Sequence, residues 1–133
     1  MHTTIRTQLM FEGRAEEALR FYLDVFDDSE IERIARYGPG ESGTEGSVVH
    51  ATLRIGDQHV TCIDSAVHHP FTFTPATSLV IECDSDADVD ALYARLSDGG
   101  HTLMPLSAYP FSQRFAWLTD RFGVSWQVTH VGG

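Results

Sequence analysis

The sequence predicts an α+β fold made of two βαβββ modules, and three observations predict it. An amphipathic helix can be read once in each half of the chain, with a strand before it and a hairpin after it. The apolar stripe of the first helix is Ala15, Ala18, Leu19, Tyr22, Val25 and Phe26, and that of the second is Val89, Leu92, Tyr93 and Leu96. Each half closes on a hairpin, the first around Gly56-Asp57 and the second around Asp120 to Gly123. The repeat is weak as identity but clear as element order, and it is too long for a small solenoid. Two facing copies form one domain over residues 1–133, with module one at 1–64, a linker at 65–76 and module two at 77–133. The helices then cover the outer faces of a cupped mixed sheet, and the inner faces line a pocket.

Each element has a local reason. Residues 3–10 alternate loosely and read as a strand that Glu12-Gly13 breaks. The first helix, about Arg14 to Phe26, carries Glu16 and Glu17 in its first turn, where the helix dipole favours acids. Ile31 to Tyr37 is a weaker strand, and the Gly- and acid-rich run 38–46 is a loop. Val49, Ala51, Leu53 and Ile55 share one face of the next strand, and His50, Thr52 and Arg54 share the other. A short turn leads to the strand His59 to Ile63. The aromatic stretch 64–76 links the halves. In the strand Ser78 to Cys83, Leu79, Ile81 and Cys83 lie on one face and Ser78, Val80 and Glu82 on the other. Ser85 is a good N-cap with Asp88 three residues on, and Gly99-Gly100 supplies the left-handed helix stop. His101 to Ala108 is a strand, and the last hairpin turns with Asp120 and Gly123 at its first and fourth positions.

Composition excludes several functions. Nine basic against nineteen acidic residues leave a net charge of −10, which argues against nucleic acid or an anionic membrane as partner. All nine cations are Arg, so Schiff-base chemistry on a lysine is excluded. Cys62 and Cys83 each fall in a predicted strand and read as buried free thiols of a cytoplasmic protein. No apolar run approaches the length of a membrane span.

Three segments then carry a family likeness. The run Phe11-Glu12-Gly13-Arg14-Ala15-Glu16-Glu17-Ala18-Leu19-Arg20-Phe21-Tyr22, the segment His50-Ala51-Thr52-Leu53-Arg54-Ile55-Gly56 followed by Asp64, and Asp120-Arg121-Phe122-Gly123-Val124-Ser125-Trp126-Gln127 appear in that order. Together they resemble the PhnB-like branch of the vicinal oxygen chelate superfamily. That resemblance implies the glyoxalase-like fold, a homodimer and a small-molecule ligand. In relatives such as glyoxalases and extradiol dioxygenases, four positions facing the cavity supply His, Glu or Gln to a divalent metal that polarises substrate oxygens. Here those positions fall on Thr7, or Gln8 one register along, on His50, on Ser78 and on Gln127. His50 is the one strong ligand of the four, since hydroxyls are poor donors to such ions. A divalent metal as cofactor is therefore left open, with His50 and Gln127 as an incomplete set and Glu82 as a substitute donor. Some members of the family carry a demethylubiquinone methyltransferase label. This sequence has no strand followed by a Gly-rich loop and helix that would bind a nucleotide-like cofactor.

The candidate residues have competing readings. His50 is a ligand or general base, or a hydrogen-bonded histidine on a polar strand face that also carries Thr52 and Arg54. Glu82 is a general base in an apolar cup, or the ion-pair partner of Arg54 or Arg114, and either Arg could instead clamp an anionic substrate. Gln127 lines the pocket or bonds a neighbouring backbone group. Phe71 and Phe73 roof the pocket, cover an interface or simply pack. Adjacent loop histidines such as His68 and His69 rarely share an ion, and Trp117 and Trp126 both read as core. The leading expectation is a small-molecule-binding protein with no assigned reaction. The alternative is a metal-assisted enzyme of glyoxalase or dioxygenase type using His50 and Gln127.

Overall fold

A computed structural model describes residues 1–132 and resolves into two compact units, Met1–Pro70 and Phe71–Gly133. Unit one contains β1 (Thr7–Phe11), α1 (Ala15–Val25), β2 (Ser29–Arg36), β3 (Val48–Ile55) and β4 (Gln58–Asp64). Unit two contains β5 (Leu79–Glu82), α2 (Asp86–Leu96), β6 (His101–Tyr109), β7 (Ser112–Thr119) and β8 (Ser125–His130). Each unit is a four-stranded mixed sheet with one helix, in the order β1-β4-β3-β2 in the first and β5-β8-β7-β6 in the second. In each, the first strand runs parallel to the last, and the other pairings are antiparallel.

The core of unit one follows from two periods. In α1 the stripe Ala15, Ala18, Leu19, Tyr22 and Val25 is buried. It packs on the sheet face that presents Leu9, Phe11, Ala51, Leu53, Val60 and Cys62, all buried. The helix starts without a local cap, because the side chain at its N-cap position, Arg14, makes no capping bond. Asp64, at the end of β4 and buried, supplies the missing acceptor. Its Oδ1 accepts from the backbone N–H of Gly13 at 2.8 Å and of Ala15 at 3.0 Å, and its Oδ2 accepts from Val48 N–H at 2.9 Å. One carboxylate thus joins the helix start, β4 and the start of β3. The β3–β4 turn needs only Gly56 and Asp57, with positive φ at Gly56 alone.

Unit two uses other means to reach the same layout. Ser85 caps α2 by accepting from Asp88 N–H, as its position in the sequence predicts. The α2 stripe is thinner, since only Val89 and Leu96 are buried. The helix ends at Leu96 with Ser97 as its C-cap, the turn after it takes Gly99 through the left-handed region, and a side chain at Gly100 would strike the carbonyl of Thr119. Asp120 is buried in the β7–β8 turn. It accepts from Phe122 N–H at 2.9 Å, from Val124 N–H at 3.1 Å and from the Trp126 indole at 2.9 Å. Trp126 is core as expected. No helix among the described residues is long and apolar enough to cross a membrane.

Candidate functional site

The helix occupies one face of each sheet, so the opposite face is where chemistry has room. Residues paired across adjacent strands share a face, and this sorts the candidates. On the helix-free face of unit one, β1 contributes Gln8, β4 contributes His59 and Thr61, and β3 contributes His50, Thr52 and Arg54. The pairs Gln8 with Thr61, Thr61 with Thr52, and His59 with Arg54 establish this. Thr7 pairs with buried Val60 and belongs to the helix side, which corrects the expectation that it faces the site. The strand's alternation runs Thr7, Leu9, Phe11 toward the helix, so Gln8 takes the facing position.

Most polar groups on this face already have protein partners. The Thr61 hydroxyl donates to Gln8 Oε1 at 3.2 Å. Arg54 donates to Asp28 at 2.9 Å, to Glu30 at 3.5 Å and to the Gly56 carbonyl at 2.8 Å. Those acids hold the Arg54 guanidinium above its ordinary pKa, Asp28 most strongly. Arg54 is thus occupied by β2 and its approach within its own unit. His59 Nδ1 lies 2.7 Å from Glu32. His50 is half-buried, and among the described residues its imidazole has no hydrogen-bond partner.

The helix-free face of unit two carries Ser78, Val80 and Glu82 from the β5 segment, Ser125, Gln127 and Thr129 from β8, and Phe115, Trp117 and Thr119 from β7. Four of these form one hydrogen-bonded set. The Ser78 and Ser125 hydroxyls are 2.6 Å apart, the Trp117 indole N–H donates to Ser125 at 2.9 Å, and the Gln127 amide N–H donates to Ser78 at 3.4 Å. Trp117 is half-buried on this face rather than core, a correction with a plain cause. The residues that alternate with it, Ala116 and Leu118, take the helix side. That alternation was the available signal.

Arg114 does not face the site either. It pairs with His130 across the ladder and donates to Asp90 of α2 at 2.8 Å, which places it on the helix side and raises its pKa. Glu82 is exposed on the helix-free face and makes no ion pair with Arg114, whose guanidinium lies on the other face with Asp90. Phe71 is exposed and Phe73 half-buried. His68 and His69 go separate ways. His68 Nδ1 meets Glu12 at 2.7 Å and His69 Nε2 meets Ser65 at 2.8 Å. The His68 bond is the main reason that Glu12 titrates below the usual carboxylate range. Burial, and then the Asp64 charge, push the Cys62 thiol up to about 12, which removes it as a nucleophile.

The donors do not fit the divalent metal that the family resemblance implies. Gln8 Oε1 accepts from Thr61, Ser78 and Gln127 are bonded to each other, and of the two imidazoles on the helix-free face of unit one His59 is held by Glu32, which leaves His50 as the one without a bond to an acid among the described residues. Among the described residues no three His, Cys, Asp or Glu side chains gather as a metal site.

Comparison with known proteins gives the family and the fold. The profile of the family described as 3-demethylubiquinone-9 3-methyltransferase matches residues 3–129. The structure of a PhnB protein from Bacillus cereus, assigned the same name, is 51% identical, with 96% of this chain and 99% of that chain covered and a TM-score of 0.92. A glyoxylase/bleomycin resistance protein/dioxygenase domain from Frankia sp. EAN1pec shares the fold at 15% identity, over 99% of this chain and 93% of that one, with a TM-score of 0.71. The fosfomycin resistance protein FosX from Listeria monocytogenes, complexed with Mn(II) and sulfate, shares it at 9% identity over 99% and 92%, with a TM-score of 0.68. No curated protein matches the chain.

Proposed function

Because this chain belongs to the PhnB-like family, described as 3-demethylubiquinone-9 3-methyltransferase, within the vicinal oxygen chelate superfamily, we propose that it is a small-molecule-binding protein. The observation that carries this reading is the hydrogen-bonded set Ser78–Ser125–Trp117–Gln127 beside half-exposed aromatic surface on a sheet face that no helix of its unit covers. Polar groups aligned next to an apolar ring are what small-ligand sites use to fix orientation. His50, Thr52 and Gln8 supply the polar part of the corresponding face in unit one. The family description does not transfer an activity, since fold and function part readily. Each sheet has one parallel strand pair, not the doubly wound parallel sheet on which nucleotide-like cofactors bind.

The homodimer, the cytoplasmic location and the single domain over 1–133 belong to this proposal as the superfamily suggests them. Metal content of the purified protein, followed by titration with Zn²⁺, Ni²⁺, Mn²⁺ and Fe²⁺, tests it. The expected result is no stoichiometric ion. Stoichiometric binding that His50→Ala abolishes would overturn the proposal in favour of a metal-assisted enzyme using His50 and Gln127.

A further inference from the structure

The relay in unit two has a direction, and proton counting sets it. The Ser125 hydroxyl belongs to a residue only 2% exposed and touches two groups, Trp117 Nε1 and Ser78 Oγ. An indole N–H can only donate, so Ser125 accepts from Trp117. Ser125 must then place its own proton, and Ser78 is the acceptor within reach among the described residues. The reverse arrangement would leave a buried O–H without an acceptor, which is more costly than the bond is worth. Ser78 therefore accepts from Ser125, and it accepts from Gln127 as well. Its two lone pairs are used, and what it has left to offer is its own proton. Ser78 is half-buried on the helix-free face. Two donors on its oxygen polarise the outward O–H and strengthen it as a donor.

We infer that Ser78 is a fixed hydrogen-bond donor for the carbonyl oxygen of a neutral ligand whose planar apolar body lies along Trp117. This rests on the small-molecule reading and names the class of molecule. Neutrality follows from the charges present. On this face β5, β8 and β7 present no cation, because Arg114 is turned to Asp90 and His130 to Asp86 on the helix side, and His101 of β6, paired with Thr119, has two strands between it and Ser78. The one charge those strands place here is Glu82. A carboxylate would lose its hydration with no cation to replace it, whereas a ketone, ester or amide would not. The planar body follows from the rings. Trp117 is held beside the relay by its N–H, and Phe115 lies two residues along the same face. Phe115 is itself buried, edge-on to Tyr109 at 5.5 Å and to Phe111 at 4.9 Å, so it backs Trp117 and leaves the indole as the open ring beside the relay.

The test is an NMR titration of the ¹⁵N-labelled full chain with acetophenone, ethylbenzene and benzoate, following the Trp117 indole N–H. Acetophenone should bind about tenfold tighter than ethylbenzene, the worth of one well-formed hydrogen bond. Benzoate should bind weakest. Ser78→Ala should bring acetophenone down to ethylbenzene and leave ethylbenzene unchanged. Gln127→Glu should do the same, because a carboxylate there accepts the Ser78 proton instead of donating to its oxygen. The Trp126 indole resonance reports that each variant is folded, and if Ser78→Ala loses it, Gln127→Glu carries the test. Equal binding of acetophenone and ethylbenzene, tightest binding of benzoate, or a folded variant with unchanged preference would overturn the inference and leave small-molecule binding standing. If none of the three shifts any resonance of the face, the small-molecule reading falls, and this inference with it.

Discussion

The two units share element order, strand order and strand directions, yet they spend their one fully buried carboxylate differently. In unit one Asp64 sits at the end of β4 and ties the sheet to the start of α1 and of β3. In unit two the ladder position matching Asp64 is His130, the next residue after the Glu82–Thr129 pair. His130 meets Asp86 at 2.8 Å near the surface, and Asp86 also accepts from Gln113. The buried acid of unit two, Asp120, serves the longer β7–β8 turn and the Trp126 indole instead. Turn length explains the exchange. The two-residue turn at Gly56 and Asp57 has its Gly56 N–H satisfied by the Asp28 carbonyl ahead of β2, whereas the turn from Asp120 to Val124 has N–H groups that the Asp120 side chain accepts. The same fold can thus place its strongest polar tie at the helix or at the turn.

The sharpest way to break this comparison is to remove the two acids. Asp64→Ala leaves three N–H groups without their acceptor, those of Ala15 and Val48 buried and that of Gly13 part-buried, and strips the α1 N-terminus of its negative partner. At about 1 kcal/mol or more per orphaned donor, the expected loss is roughly 3–5 kcal/mol in urea unfolding. Asp120→Ala also orphans three donors, but one turn relaxes more readily toward water than a helix start held under β3. The expected loss is about 2–3 kcal/mol. Hydrogen exchange should place the first defect in α1 and β3 and the second around 120–126. A smaller cost for Asp64→Ala than for Asp120→Ala would mean that the helix tie is not the stronger of the two.

Much of this layout was legible in the sequence, and the failures share a cause. Helix stripes, the Ser85 cap, the Gly56 turn and the alternation of β3 follow from local periodicity and capping chemistry. The helix-free faces were legible wherever alternation was clean, as at His50, Thr52 and Gln127. Thr7 and Arg114 fell on the other face because a strand's register relative to its neighbour is a tertiary fact. A slip of one residue exchanges the faces. Asp64 was visible only as part of a motif, since its three partners lie 16 to 51 residues away. The Ser78–Ser125 contact spans 47 residues and could not be read locally at all.

The helices themselves give a second way to sharpen the comparison. α1 buries Ala15, Ala18, Leu19, Tyr22 and Val25, and α2 buries Val89 and Leu96 alone. The ties between α2 and its sheet are part-exposed polar contacts, a hydrogen bond of Asp86 with His130 and an ion pair of Asp90 with Arg114, and such contacts contribute little each. Local opening follows buried apolar contact, so mid-helix amides of α2 should exchange about tenfold faster than those of α1, or more. Arg114→Ala should widen that gap modestly and leave α1 unchanged. Equal protection of the two helices would show that apolar burial does not set their local stability.

The smallest expected effect is electrostatic and belongs to α1. Glu16 accepts from Arg36 of β2 at 2.9 and 3.0 Å and from Arg20 one turn on at 2.8 Å. The Arg36 bond, and then the Arg20 bond, lower its pKa from 4.5 to about 2. In unit two the bond to His130, followed by that to Gln113, lowers Asp86 as well. The sign is that of a depressed acid. The stabilisation is complete above pH 4.5, where Glu16 is ionised in folded and unfolded chains alike, and it fades as pH falls from there through about 2. The groups lie at the surface, so the loss in urea unfolding over that window should stay below about 1 kcal/mol and shrink in high salt. Carboxyl carbon shifts give the direct reading, with Glu16 titrating near 2 and Asp86 below the usual aspartate range. Arg36→Gln should move the Glu16 midpoint back toward 4.5 while Asp86 stays where it is. A Glu16 midpoint near 4.5 in the unmodified chain would remove the α1–β2 ion pair as a tie of unit one, leaving Asp64 and apolar packing to hold that helix alone.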